Sequence, residues 1–260
     1  MISLRYEAEG PVAVVTINRP ERRNAVDAET ASELIDAFQQ FDADESLRVA
    51  ILTGADGCFC AGADLQALVG QEVGDIDIHG DGPLGPTRML LSKPVIAAVE
   101  GYAVAGGLEL AVWCDLRVAA SDAVFGVFCR RWGVPLLDGG TVRLPRLIGH
   151  SHAMDMILTG RGVTGDEAVQ MGLVNRQTAP GESLPAALEL ARQIASFPQT
   201  CLRNDRLSAH QQWSLDLESA LTNEATINQP SIESPEIIEG LKRFASGAGR
   251  HGTFGDANES

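Results

Sequence analysis

The chain has 260 residues, with 45% hydrophobic and 5% aromatic side chains, 27 glycines and a formal net charge of −15 at pH 7. Such a length buries a sizeable core in one or two domains, and the low aromatic content favours a closely packed α/β protein over an aromatic-rich sandwich. The negative charge argues against nonspecific nucleic-acid binding and adsorption to anionic membranes, and no run of roughly 18 apolar residues is present to span a bilayer. Of the 20 basic residues only Lys93 and Lys242 are lysines, and arginine suits phosphate contacts. Five cysteines, an odd number, behind an N-terminus without an apolar leader lead us to expect a reducing, cytoplasmic setting. Cys58 and Cys60 have no second metal-spaced group, so no metal site is expected.

In chain order, Val12 to Ile17 reads as a strand that Asn18-Arg19-Pro20 ends. Arg22 and Arg23 follow, either as a solvated loop or as a phosphate clamp. Asp27 is a plausible helix cap before Thr30, Leu34, Ile35, Phe38 and Phe41, an apolar stripe at helical spacing. Val49 to Thr53 is the next strand. The stretch Gly54 to Leu65, GADGCFCAGADL, places a turn at Asp56-Gly57 and small residues at Ala61, Gly62 and Ala63, with a helix beginning just beyond. Asp64 there stabilises a helix start whether or not it has a catalytic role. Val69 to Arg88 is the most irregular segment, expected as a lid or a surface excursion, with His79 a solvated loop histidine.

Pro94 to Val99 has the signature of a buried strand. It leads into GYAVAGGLELAVWCD, Gly101 to Asp115, where small residues let the backbone approach a ligand and a helix starts near Gly107. A helix start leaves amide donors open for a negatively charged oxygen, and Glu109 sets a carboxylate in the first turn. Strand, small-residue turn and helix start thus occur twice. One amide from each turn could flank a thioester or other carbonyl as an oxyanion hole. No GxGxxG follows a strand and no P-loop is present, which disfavours a dinucleotide or ATP.

NRPERRNAVD from Asn18, ILTGADGCFCAGADL from Ile51 and PVIAAVEGYAVAGGLELAVWCDLRVAA from Pro94 resemble the crotonase family of enoyl-CoA hydratases and isomerases. The likeness continues through FGVFCRRWGVPLLDGGTVRLPRLIG, from Phe125, and covers nearly the whole chain. It implies an α/β fold: a crotonase-like spiral of repeated β-β-α units over residues 1–175, with a C-terminal helical trimerisation region over 176–260. No internal repeat in the sequence establishes that spiral independently. It also implies an acyl-CoA thioester substrate, coenzyme A as part of that substrate with no prosthetic group, and assembly as a homotrimer or homohexamer. Carbonyl polarisation falls to the amides matching Ala63 and Gly106, and Glu109 matches one of two hydratase glutamates. Arg22, Ala61, Asp64 and Leu65 are the expected coenzyme A contacts, and Arg250 would meet its phosphate from a neighbouring subunit.

Two positions depart from the hydratase pattern. The second glutamate falls on Cys129, whose shorter side chain and ordinary pKa near 8.5 do not substitute for a carboxylate. Asp138, in VPLLDGGT, matches a catalytic aspartate of dienoyl-CoA isomerases, or else caps the helix from Thr141 to Leu147. The expected reaction is reversible hydration of a 2-enoyl-CoA. The alternatives are a double-bond isomerase using Glu109 and Asp138, and a noncatalytic acyl-CoA binder because of Cys129.

Further on, Arg130, Arg131 and Trp132 read as interface packing or the rim of an acyl tunnel. His150 and His152 lack the partners of a metal set. Met154 to Leu158 is a short helix, and Thr164 caps another that Gly172 ends. Leu184 to Phe197, a single stretch from Asn204 to Asn228, and a segment from Pro235 are the closing helices, the last with Ile237, Ile238, Leu241 and Phe244 as its expected buried stripe.

Overall fold

The structure, a computed structural model, describes residues 3–69 and 77–249. The chain forms two compact units, Met1–Ala195 and Ser196–Ser260. In the first, β1 (Leu4–Glu9) and β2 (Val12–Ile17) form an antiparallel hairpin, followed by helix α1 (Ala28–Ala43) and β3 (Val49–Gly54). Asp27 caps α1 by accepting from the Thr30 amide at 2.9 Å and its hydroxyl at 2.8 Å. The buried face of α1 includes Thr30, Leu34, Phe38 and Phe41, as the spacing predicts.

A four-residue helix α2 (Leu65–Leu68) precedes β4 (Val95–Val99), β5 (Tyr102–Val104), α3 (Gly106–Trp113), β6 (Leu116–Ala120) and β7 (Val124–Gly126). The unit closes with α4 (Gly140–Thr159), β8 (Gly162–Thr164), α5 (Gly165–Gln170), β9 (Arg176–Thr178) and α6 (Ser183–Ser196). The short helix expected over Met154 to Leu158 is the second half of α4, set off by Gly149, whose φ of 75° breaks the helix.

Six strands form one sheet in the order β1-β2-β3-β4-β6-β9, parallel except for the first pair; β5, β7 and β8 form a second. The central strands are apolar throughout because both faces are covered. Val15, Leu52, Ala97 and Val99 face the cluster that contains α1 and α3. Val12, Val14, Val49, Ile51, Ile96 and Val118 face Ala187, Leu190 and Ala191 of α6. Glu100 fixes the start of α6 by accepting from the Gly181 and Ser183 amides at 3.0 and 2.9 Å. Sequence placed the division near residue 175, but β9 pairs with β6 and α6 covers the sheet, so the first compact unit extends to Ala195.

The second unit carries α7 (Gln199–Gln211), α8 (Leu217–Glu233) and α9 (Pro235–Ala245). The single helix expected from Asn204 to Asn228 is therefore two. A short 3-10 turn, Gln212–Ser214, ends the first, and Asp216 caps the second by accepting from the Ser219 amide at 2.9 Å. Leu217, Leu221, Ile238, Leu241 and Phe244 of α8 and α9 are exposed.

Candidate active site

The two small-residue turns meet. Cys60 bridges Ala103 and Ala63 bridges Val26, both in parallel sense. In the second bridge the Gly62 carbonyl accepts from Val26 and the Asp64 amide donates to Val26, at 2.8 Å each. That pattern turns the Ala63 amide to the side away from Val26. Gly62, at φ +93°, admits no side chain, since a Cβ there would lie 2.8 Å from the Gly106 nitrogen. Cys60 Sγ accepts from the Gly62 amide at 3.3 Å, and burial pushes this thiol's pKa up to about 12, so it stays protonated.

Gly106 is the first residue of α3, where an amide has no intrahelical acceptor. It is delivered by Ala105, held at φ 54° and ψ −123°, a region costly for any residue with a Cβ. The Ala105 amide is anchored on the Gly126 carbonyl of β7 at 2.8 Å. Among the described residues, neither the Ala63 nor the Gly106 amide has a protein acceptor. Both residues line a cavity of about 520 Å³ with Ala61, Asp64, Leu65, Leu84, Glu109, Cys129, Trp132 and Asp138.

Glu109 is 2% exposed. Its Oε1 accepts from the Asp138 amide at 2.9 Å and the Gly140 amide at 2.8 Å. Burial raises its pKa to about 7, with the negative charge of Asp138 adding to the rise and the two amides opposing it. Gly140 opens α4, so Glu109 supplies that helix with the acceptor that one of the two sequence readings gave to Asp138. A Cβ at Gly140 would fall 3.0 Å from Glu109 Oε1.

Asp138 is 3% exposed and caps nothing in α4. Its Oδ1 accepts instead from the Leu84 amide at 3.0 Å and the Thr87 hydroxyl at 2.5 Å. The expected lid or surface excursion is thus buried over Leu84 to Thr87, and Leu84 lines the site. His79 within the same segment is exposed. Arg143 crosses the junction and donates to the carbonyls of Asp138 and Thr87 at 2.9 and 2.6 Å, its guanidinium pKa lowered by burial. Sequence reading missed Leu84, Thr87 and Arg143, since neither period nor motif marks them.

The remaining expected contacts divide. Ala61 and Leu65 line the cavity. Asp64 lines it too, yet its carboxylate caps α2 through the Gln66 and Ala67 amides at 3.1 and 3.3 Å and pairs with Arg19 at 3.1 Å. Arg19 also pairs with Asp27 at 2.6 Å, tying the two helix starts together. Arg22 lies outside the cavity lining and donates to the Gln66 side chain. Arg250 falls outside the described residues. Cys129, 6% exposed, lines the cavity, and burial followed by the Glu109 charge raises its thiol pKa. Trp132 stands at the cavity 73% exposed, while Arg131 stacks 3.8 Å over Phe128. His150 and His152 are exposed, and no group of three potential metal ligands occurs among the described residues. Nor, among those residues, is any helix long and apolar enough to cross a membrane.

Residues 7–250 match the family model described as enoyl-CoA hydratase/isomerase. The chain belongs to that family. An enoyl-CoA hydratase of Mycobacterium tuberculosis, EchA19, is 42% identical over 246 residues, covering 92% of each chain. A carnitinyl-CoA dehydratase of Salmonella arizonae is 43% identical over 194 residues, 74% of each. The crystal structure of enoyl-CoA hydratase EchA1 from Mycobacterium marinum superposes with a TM-score of 0.89 at 37% identity, covering 94% of this chain and 96% of that one. The fold is therefore the crotonase fold that the motifs implied. Membership of the enoyl-CoA hydratase/isomerase family carries with it chemistry on CoA thioesters without a prosthetic group.

Proposed function

We propose that this protein adds water reversibly to a 2-enoyl-CoA, with Ala63 and Gly106 as the oxyanion donors and Glu109 as its single acid–base group. The observation that carries this is Glu109 itself: a buried carboxylate, its pKa near 7, lining one cavity with two adjacent amides free of protein acceptors. A group of that proton affinity both takes and returns a proton near neutrality.

The atoms balance with one carboxylate. Ionised Glu109 takes a proton from water as the oxygen bonds to Cβ. The C=C electron pair moves to form the enolate, whose oxygen the two amides hold. The enolate then collapses as Glu109 returns the proton to Cα, and the carboxylate is regenerated. Each well-placed amide contributes on the order of a hundredfold to such a step. Cys129 takes no part, because burial and the neighbouring carboxylate keep it a thiol.

A second reading, double-bond isomerisation, is favoured by Asp138 lining the same cavity. There Glu109 would remove a proton from one carbon, and a second acid would return one to another. Incubation with 2-enoyl, 3-enoyl and 2,5-dienoyl thioesters separates them: a gain of one water by mass means hydration, and an unchanged mass with a shifted ultraviolet band means isomerisation. Binding without turnover across that panel would instead make the chain an acyl-CoA binder and sink both readings.

Ala61 and Leu65 at the cavity, with Arg22 beside it and Arg250 from a second subunit, are the proposed coenzyme A contacts. Exposed Leu217, Leu221, Ile238, Leu241 and Phe244 support assembly as a homotrimer or homohexamer. A monomer mass by sedimentation would remove that assembly.

A further inference from the structure

Asp138 sits in the cavity wall, yet Oδ1 of its carboxylate is turned to the loop rather than left for a ligand. It accepts from the Leu84 amide at 3.0 Å and the Thr87 hydroxyl at 2.5 Å. The same loop is fastened to the same segment by Arg143, through the Thr87 carbonyl at 2.6 Å, and by Arg88, which donates to the Leu137 carbonyl at 3.3 Å. Gly82, at φ +118°, is required at the start of the loop, because a Cβ there would overlap the Thr87 hydroxyl oxygen and press to 3.0 Å from Asp138 Oδ1.

The fastening has a consequence at Gly106. The Leu84 side chain lies against that glycine so closely that a Cβ on Gly106 would overlap Leu84 Cδ1. Leu84 is 3% exposed and forms the wall beside the amide. The backbone of the same Asp138 and of Gly140 aims Glu109. One short segment therefore sets both the carboxylate and the wall next to the donor.

We infer that Asp138 is a positioning residue whose carboxylate latches the Gly82–Arg88 loop, holding Leu84 as a water-excluding wall beside the Gly106 amide. This rests on the acyl-CoA reading given above. Hydrogen bonds to an ionised acceptor are about twice as strong as neutral ones, so a carboxylate suits a latch. Water admitted beside Gly106 would raise the local dielectric and weaken the donor when enolate charge develops.

Thr87 separates this role from proton transfer, because it touches Asp138 but does not line the cavity. Hydrogen exchange at the Leu84 amide of the unliganded protein, together with kcat and KM for crotonyl-CoA, is measured in wild type, T87V, T87S, D138N and D138A. T87V and D138A should speed Leu84 exchange about tenfold or more and lower kcat by about tenfold. T87S, which keeps the hydroxyl, should restore both. D138N keeps an acceptor oxygen and should retain roughly a third of kcat, on the scale of one weakened hydrogen bond.

Wild-type exchange and turnover in T87V would overturn the latch. So would a D138N variant as inactive as D138A, which is the signature of a proton-transferring acid. Should D138A fail to fold, T87V and D138N alone still decide the matter. Exchange needs no substrate, so a wild type that neither binds nor converts enoyl-CoA would sink the acyl-CoA reading while the latch is judged separately.

Discussion

Ala105 to Glu109 and Asp138 to Gly140 each bring a buried acid to one cavity, but the two regions spend their carboxylates differently. Glu109 takes two backbone amides from the second region and keeps a pKa near 7. Asp138 takes an amide and a hydroxyl from a loop far from it in sequence. The first acid is held by backbone amides at a helix start and is the proton carrier of the proposed scheme. The second holds the surroundings in place. Burial alone does not distinguish a reacting carboxylate from a structural one; the identity of its donors does.

The largest effect that tests this contrast is on Glu109. E109Q preserves the acceptor for Asp138 and Gly140 but cannot take a proton, so kcat should fall on the order of 10²–10⁴-fold with KM little changed. In wild type, kcat/KM should fall about tenfold per pH unit below pH 7, because the ionised carboxylate starts the reaction. Full activity in E109Q would end the assignment.

The same substitution has a stability signature of defined sign. The folded state keeps the Glu109 proton between its ordinary pKa of 4.5 and about 7, a range in which the unfolded chain has released it. Ionising Glu109 therefore opposes folding, with no penalty below about 4.5 and the full penalty above about 7. E109Q should gain up to about 3 kcal/mol over wild type at pH 8, and little at pH 4. Denaturant titrations at the two pH values check this; a gain that does not grow with pH would contradict the raised proton affinity.

Moving the donor rather than the acid gives a smaller effect. G140A puts a methyl 3.0 Å from Glu109 Oε1 and 3.1 Å from its Cγ, which the buried side chain must yield to by a few tenths of an ångström. A near-attack geometry disturbed by that much should cost about tenfold in kcat while crotonyl-CoA still binds. Steady-state kinetics decide it, and an unaltered kcat would show that Glu109 is not aimed through Gly140.

That Ala63, Gly106 and Glu109 would meet at one cavity was legible in the sequence because each stands at a strand-to-helix turn marked by small residues, and such turns leave open amides wherever they occur. α1 and α9 were legible as helices for a similar reason, since their apolar residues recur at helical spacing, but the α9 stripe Ile237, Ile238, Leu241 and Phe244 is exposed rather than buried. β5, β7, β8 and β9 were not, being three residues long and too short to show a period. That Glu109 rather than Asp138 serves the start of α4 was also hidden. Local rules assign a helix start to the nearest acid in sequence, whereas Glu109 reaches it from about thirty residues away through tertiary packing. Leu84 and Thr87 were read as part of a lid or an excursion because Gly, Asp and Pro dominate their segment, and only the buried carboxylate that binds them shows Leu84 to be a wall.

Cys129 supplies the smallest expected effect and the sharpest limit on the comparison. It lines the cavity at the position where the hydratase resemblance expects a second glutamate, and like Arg143 it feels the charge of Glu109. A thiol pushed upward by burial and by a nearby carboxylate is neither ionised nor a ready donor at neutral pH. C129A should therefore keep kcat within about threefold of wild type, while removal of one buried sulfur costs about 1 kcal/mol of stability. A loss near a hundredfold in hydration would instead place the thiol on the proton path and break the single-carboxylate scheme, since the proton delivered to Cα would then have two sources.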